Sequence, residues 1–280
     1  MPEAAADQGP LPTFVIAGAM RAGSTALSRW LSAHPEVFMA PRKELHFFDK
    51  ADAGSISTYR AEFADWSGQP AIGEATPNYL FASGAVERLV ATIPDVRVVV
   101  SLRDPVERAY SHYWSRRSRA LEVRSFAELV GEEQARPADA PADPNGLDLL
   151  ARGRYLDQIH EALRHLPRPQ LLVVLFDDVE GSPTETFAQI CTFVDVDPTQ
   201  VPAEVGRPAN AYRRFRSQRV RRLARRLPAP AADVVGHLNS RAEGYPPLDP
   251  GLRDELRAWY RPANQELAEW LGRDLSAWGC

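Results

Sequence analysis

Phe14-Val15-Ile16-Ala17-Gly18-Ala19-Met20-Arg21-Ala22-Gly23-Ser24-Thr25-Ala26-Leu27-Ser28-Arg29-Trp30-Leu31 is the stretch around which the rest of the chain is read. An apolar, β-branched run stops at Gly18, a second glycine follows at Gly23, and the residues from Ser24 onward have helical character. A buried strand that turns sharply into a helix start gathers backbone N–H groups and the positive end of the helix dipole at one point. Such a point binds a phosphate or a phosphate-like anion. The glycines let the backbone come close, Ser24 and Thr25 can donate from the first turn, and Arg21 adds a fixed positive charge. A plain strand–turn–helix is the alternative that this stretch alone leaves open.

The spacing from Gly18 to Gly23 is that of the nucleotide P-loop, G-x-x-x-x-G-K-[ST]. Ser24, however, stands in the lysine slot, and the cation, Arg21, lies inside the loop. The 280 residues suffice for one large α/β domain, expected over residues 13–275. Residues 1–12 read as a loose tail without the basic start and apolar core of a signal peptide. At 44% hydrophobic and 25% charged, the composition is that of ordinary soluble globular material. The net charge of −4 gives no overall attraction to nucleic acid, so any affinity for anions has to be local. The two cysteines form neither a disulfide framework nor a zinc pattern, which fits a reducing, cytoplasmic setting without a metal site. No apolar run nears the roughly 18 residues needed to span a membrane.

Periodicity predicts helices over 24–33, 58–66, 83–93, 104–121, 154–165 and 182–194, and strands at 71–74, 95–102 and 170–176. Residues 36–40 are short and mixed, 132–148 read as an exposed loop, and 250–271 as two helical stretches punctuated at Pro262. Val96-Arg97-Val98-Val99-Val100 is apolar on both faces, as a central parallel strand should be. Strands alternating with helices imply an α/β fold, P-loop-like and three-layered. Its central, mostly parallel sheet is flanked by helices, with a ligand at the carboxyl ends of the strands.

A second strand-to-helix junction places Arg103 just past a strand end and Ser111 two helical turns further on. If this strand neighbours the first, the two can hold a second anionic group. A buried arginine paired with Asp104 is the other reading. Between the junctions lies Lys43-Glu44-Leu45-His46-Phe47-Phe48-Asp49, and after it Gly73-Glu74-Ala75-Thr76-Pro77-Asn78-Tyr79.

Together these motifs resemble the sulfotransferases that use 3′-phosphoadenosine-5′-phosphosulfate (PAPS). The match is closest to the heparan sulfate branch (N-deacetylase/N-sulfotransferases and 3-O-sulfotransferases) and its bacterial relatives. Gly18 to Thr25 is similar to the family's 5′-phosphosulfate loop, Arg103 to Ser111 to its 3′-phosphate motif, and Glu44 to Asp49 to its Glu-x-His-Phe-Phe-Asp segment. The resemblance continues through Gly153-Arg154-Tyr155 and Tyr260-Arg261-Pro262-Ala263-Asn264 and covers most of residues 13–275. It implies transfer of a sulfuryl group from PAPS to a hydroxyl, or failing that an amine, of a small-molecule, glycan or carrier-bound acceptor, leaving adenosine 3′,5′-bisphosphate.

The resemblance also implies roles. Arg21, Ala22, Gly23, Ser24 and Thr25 would hold the phosphosulfate, and Arg103 and Ser111 the 3′-phosphate. The family usually has lysine at Arg21; arginine keeps the charge but cannot give up a proton. Glu44 aligns with the family's general base, a role that a dry site would favour by raising its pKa. His46 is the other candidate base, or a partner that orients Glu44; in an extended segment the two side chains would share a face. Phe47 and Phe48 read as packing, and Glu74 as structural or acceptor-positioning. Ala75 stands where heparan sulfate members carry lysine, which weakens the case for a heparan-like acceptor. Arg241, in Asn239 to Pro247, is a loose match to a loop that closes over the nucleotide.

The arginine-dense run 213–226 reads as a solvated helix face, or else as a grip for an acidic acceptor, a carrier protein or a membrane surface. Residues 50–70, 115–150 and 205–245 are expected to shape the acceptor pocket. The chain is not expected to bind nucleic acid, and a homodimer is compatible with its sequence. A P-loop kinase or NTPase, with Val173 to Asp178 as a metal-holding strand, is the competing enzyme class; Ser24 in the lysine slot argues against it.

Overall fold

The computed structural model describes residues 9–50, 52–119, 121–137, 147–207 and 244–280, with the backbone of 214–215 and 240–241. By its internal contacts the chain forms two compact units, Met1–Arg103 with Tyr155–Ala209 and Asp104–Arg154 with Asn210–Cys280.

The first unit is built on β1 (Phe14–Gly18), β2 (Val37–Met39), β3 (Ala71–Ala75), β4 (Arg97–Leu102) and β5 (Leu171–Leu175), a sheet of order β2-β3-β1-β4-β5. All four pairings are parallel, and β1, β3 and all of β4 after Arg97 are buried. Both faces of these strands are covered, which is why they read as unbroken apolar runs rather than alternating ones. Helices α1 (Ser24–Ser32), α2 (Ile56–Ala61) and α3 (Ala85–Thr92) fill the early crossovers. The helix α6 (Tyr155–Leu163) precedes β5, and α7 (Phe176–Gly181) and α8 (Pro183–Phe193) follow it. One face of the sheet packs Phe14, Ile16, Val99 and Val174 against Leu27, Trp30 and Leu31 of α1 and Phe187 and Ile190 of α8.

β2, in the segment read as mixed, is a three-residue edge strand, too short to show a period in sequence. The chain leaves β1, runs to the far edge for β2, returns to β3 beside β1, and crosses to β4 on the other side. The sheet order therefore reverses at β1, and the crevice of such a sheet opens at the carboxyl end of that strand. The loose-tail expectation falls largely outside the described residues. At its end, the Gly9 carbonyl accepts from Arg60 Nε at 2.7 Å and Pro12 is buried, so the tie-down begins before β1.

The second unit begins with α4 (Pro105–Ser118), whose Asp104 cap accepts from the amides of Val106 (2.8 Å) and Glu107 (3.3 Å). Next comes α5 (Phe126–Gln134), unforeseen from sequence although its Ser125/Glu128 capping box is legible there. The last helix, α9 (Pro250–Leu271), is continuous through Pro262 rather than two pieces. Leu256, Tyr260, Asn264 and Leu267 are buried on both sides of the proline, and that stripe holds the helix together despite the missing N–H. Tyr260 donates to the Leu150 carbonyl at 2.7 Å, and a Cβ on Gly153 would stand 2.5 Å from its hydroxyl oxygen. That contact leaves no room for a side chain at residue 153. Strands β6 (Arg214–Phe215) and β7 (Ser240–Arg241) pair antiparallel.

Gly73, in the middle of β3, carries the closest packing in the sheet. A Cβ there would lie 2.2 Å from the Phe14 ring and 2.6 Å from Met39 Sδ. Gly73→Ala is expected to lower unfolding free energy by about 1–3 kcal/mol, the usual range for overpacking, as read from urea melts by circular dichroism.

Candidate active site

Past Gly18 the chain turns over the carboxyl end of β4. The Ala19 amide donates to the Ser101 carbonyl at 2.8 Å, and the Ser101 hydroxyl donates to the Ala22 carbonyl at 2.5 Å, so one buried serine ties both ends of the loop. Arg21 (φ 72°) and Gly23 (φ 93°) both take left-handed backbone. Glycine does so freely, whereas for arginine the cost is on the order of 1–2 kcal/mol. A Cβ on Gly23 would stand 2.9 Å from the Phe176 ring. Helix α1 then begins with no side-chain cap and no acid in its first turn, leaving the positive end of its dipole facing the loop.

Arg103, directly after β4, lays its guanidinium 4.8 Å from the centroid of the Phe176 ring, donates to the Arg21 carbonyl at 3.5 Å, and has its own carbonyl held by the Tyr155 hydroxyl at 2.7 Å. In the second unit, Asp104 caps α4 and lies 3.6 Å from Arg257. Ser111 is buried on α4 of the second unit. Arg241 is described only in its backbone, on β7, and nearly all of the 213–226 run lies outside the described residues.

Residues 40–49 cross the end of β3, where the Glu44 amide donates to the Ala75 carbonyl at 2.9 Å. The segment is not extended as expected: Glu44 (φ 61°) and His46 (φ 53°) are both left-handed. Their side chains meet nonetheless, with His46 Nε2 3.7 Å from Glu44 Oε2. On its other side His46 Nδ1 lies 2.6 Å from Asp49 Oδ2, which also accepts from Asn78 Nδ2 at 2.7 Å. Nothing in the sequence marks Asp49 as a partner of His46; only the turn shows that it backs the histidine.

Beneath this turn, Tyr79 accepts from the amides of Phe47 (3.1 Å) and Phe48 (3.4 Å). Glu74 is fully buried, accepting from the hydroxyls of Tyr59 (2.9 Å) and Thr76 (2.6 Å). Burial raises its pKa, and its place is under the turn rather than at its surface. Phe47 stacks on Tyr59 with centroids 4.7 Å apart, as packing, in line with its reading from sequence. A cavity of about 230 Å³ opens beside His46, lined also by Arg42, Phe47, Lys50, Tyr59 and Glu62.

The electrostatics of the turn follow from these contacts. Hydrogen bonding to Asp49, and then to Glu44, lifts the His46 pKa to about 9. Hydrogen bonding to His46, with the nearby Lys43 charge, pulls Glu44 down to about 2 against its partial burial. The dry site that would favour a basic Glu44 is not the state of this turn, where ion pairing outweighs desolvation at a carboxylate whose side chain is 45% exposed. Burial opposes the charge of Asp49, but its bonds to His46 and Asn78 prevail and lower its pKa.

Lys43 reaches the loop, its Nζ 2.9 Å from Thr25 Oγ1 and 3.3 Å from Ser24 Oγ, and 3.4 Å from Glu44 Oε1. Among the described residues no group of three or more His, Cys, Asp and Glu is placed to hold a metal ion, and no helix is long and apolar enough to cross a membrane.

The pattern of the Sulfotransferase family matches residues 45–200, more than half of the chain. The chain belongs to this family. Among curated relatives it is 34% identical over 132 residues to the membrane-associated sulfotransferase kil1 of Dictyostelium discoideum, covering 44% of this chain and 28% of that protein. It is 26% identical over 265 residues to heparan sulfate glucosamine 3-O-sulfotransferase 3B1 of Mus musculus, covering 95% of this chain and 64% of that one. The chain thus spans less than two thirds of the length of these relatives. The crystal structure of a sulfotransferase from Alicyclobacillus acidocaldarius superimposes with a TM-score of 0.76 at 27% identity, over 97% of this chain and all of that one. The sulfotransferase fold, with its central parallel sheet flanked by helices, is therefore the fold of this chain, as the motifs implied.

Because His46 titrates near 9 in the fold against an ordinary 6.5, its contribution to stability is complete below pH 6.5 and is lost as pH rises through 9. Glu44, lowered from 4.5 to about 2, contributes fully above 4.5 and loses that contribution as pH falls toward 2. Unfolding free energy from denaturant titrations is expected to decline between pH 6.5 and 9 in the native sequence. His46→Asn should be less stable at pH 6 and lack that decline.

Proposed function

We propose that this chain transfers a sulfuryl group from PAPS to a hydroxyl of a small-molecule, glycan or carrier-bound acceptor. The observation that carries the reading is the placement of an ionised carboxylate beside an uncapped, cation-lined helix start: Lys43 Nζ lies 2.9 Å from Thr25 Oγ1 and 3.4 Å from Glu44 Oε1. The loop fits the phosphosulfate end of such a donor. Its glycine leaves no room for a side chain against Phe176, no acid sits in the first turn of α1, and Arg21 adds charge. The donor, when bound, supplies the sulfuryl group.

Arg21, Ala22, Gly23, Ser24 and Thr25 would then hold the phosphosulfate and bear the charge that grows on the departing phosphate, the main requirement of in-line transfer. The resemblance assigns Arg103 and Ser111 to the 3′-phosphate and Arg241 to the nucleotide. Glu44 takes the proton of the acceptor hydroxyl. His46, held as a cation by Asp49, cannot accept that proton and instead orients Glu44 and keeps it ionised. A Glu44 near pKa 2 is a weak base in water; an acceptor that displaces water from its exposed side raises its pKa and improves the match. Ala75 in place of the lysine of heparan sulfate members speaks for a different acceptor, with a small one admitted by the cavity beside His46.

Purified protein is expected to bind adenosine 3′,5′-bisphosphate in calorimetry without added magnesium. No binding at high micromolar ligand, or magnesium-dependent ATP binding in its place, would overturn the reading. Screened with labelled PAPS and candidate acceptors, Glu44→Gln is expected to lose about 10²–10⁴-fold in turnover while still binding the bisphosphate. Arg103→Ala should weaken the bisphosphate itself.

A further inference from the structure

Ser24 occupies the position where a P-loop carries its phosphate-binding lysine. The structure brings a lysine to that place from elsewhere in the chain. Lys43, on the segment that follows β2, spans the hydroxyls of Ser24 and Thr25 at 3.3 and 2.9 Å, directly over the first turn of α1. We propose that Lys43 is the missing cation of the donor site, a ligand of the donor's 5′-phosphate supplied from the same loop that carries Glu44. The inference rests on the sulfotransferase reading above and adds a residue to it.

A simple ion pair with Glu44 does not account for this placement. The ammonium is closer to Thr25 Oγ1 than to the carboxylate (2.9 against 3.4 Å), and Glu44 is also engaged by His46. Burial lowers the Lys43 pKa against the pull of Glu44, and the charge of Arg21 lowers it further. Arg21, Lys43 and the dipole of α1 thus gather positive charge at one point, in a chain whose net charge is −4. Such crowding is relieved when an anion docks, and two hydroxyls are groups an ammonium can leave without stranding a buried charge.

Lysine and arginine differ in what they offer here: Arg21 presents a fixed fork, whereas Lys43 is a compact point charge on a flexible stem that can follow the phosphate as its charge grows.

Calorimetric binding of adenosine 3′,5′-bisphosphate and of adenosine 3′-monophosphate, to the full chain and to Lys43→Gln and Lys43→Arg, tests this. The expected result is at least a tenfold weaker bisphosphate affinity for Lys43→Gln, partial recovery in Lys43→Arg, and unchanged 3′-monophosphate affinity, since that ligand lacks the 5′-phosphate. Equal loss for both ligands, with a lowered melting temperature, would make Lys43 a structural residue and overturn the proposal. Unchanged bisphosphate affinity in Lys43→Gln would overturn it as well, while leaving the sulfotransferase reading intact. If the native chain binds neither ligand, it is that reading that fails first, and the proposal with it.

Discussion

Everything in the first unit's crevice depends on how one buried serine holds the loop after β1. Ser101, inside β4, accepts the Ala19 amide on its carbonyl and donates its hydroxyl to the Ala22 carbonyl. With both ends fixed to the neighbouring strand, the loop has only a few residues to make its turn. Arg21 and Gly23 meet that demand with left-handed backbone. The turn leaves the start of α1 without a side-chain cap. Had β4 paired anywhere but beside β1, the loop would lack this anchor. The reversal of strand order at β1 is therefore the topological condition for the site.

Charge is the second organising constraint. Arg21, Lys43 and Arg103 collect at the carboxyl ends of β1, β2 and β4, and the turn of residues 44–49 answers with two carboxylates and an imidazolium. The balance within that turn is set by hydrogen bonds rather than by burial, which is why Glu44 is driven down in pKa and His46 up. A buried network of Tyr59, Glu74, Thr76 and Tyr79 supports the turn from below through the amides of Phe47 and Phe48. The aromatic residues of the motif are thus the mounting on which its charged residues sit.

Much of this was legible in residues alone. The unbroken apolar runs of β1, β4 and β5 announced strands buried on both faces, and Asp104-Pro105 announced the start of α4, because these signals are local and strong. The edge strand β2 was not, since three residues carry no period. α5 went unread despite its capping box, hidden beside an Ala/Pro-rich stretch. Pro262 looked like a break because its cost is local, while the burial of Tyr260, Asn264 and Leu267 that outweighs it is tertiary. Among site residues, the loop and Glu44 stood out by motif. Lys43 and Asp49 did not, because the groups they meet, Thr25 and His46, come near only in the folded turn.

Residues alone settled the buried strands β1, β4 and β5, the glycine-bounded loop between β1 and α1, and the motifs of the family to which the chain belongs. These follow from short-range physics: side-chain period, backbone freedom at glycine, and capping. The tertiary structure alone decided which charges meet. It put Lys43 on the hydroxyls of Ser24 and Thr25, and it placed His46 between Glu44 and Asp49 through two left-handed residues rather than an extended strand. A pKa or an ion pair depends on distances of 3–4 Å between residues far apart in the chain or turned by unusual backbone. Those distances are set by the packing of β1 against β3 and β4, which no single stretch of sequence contains.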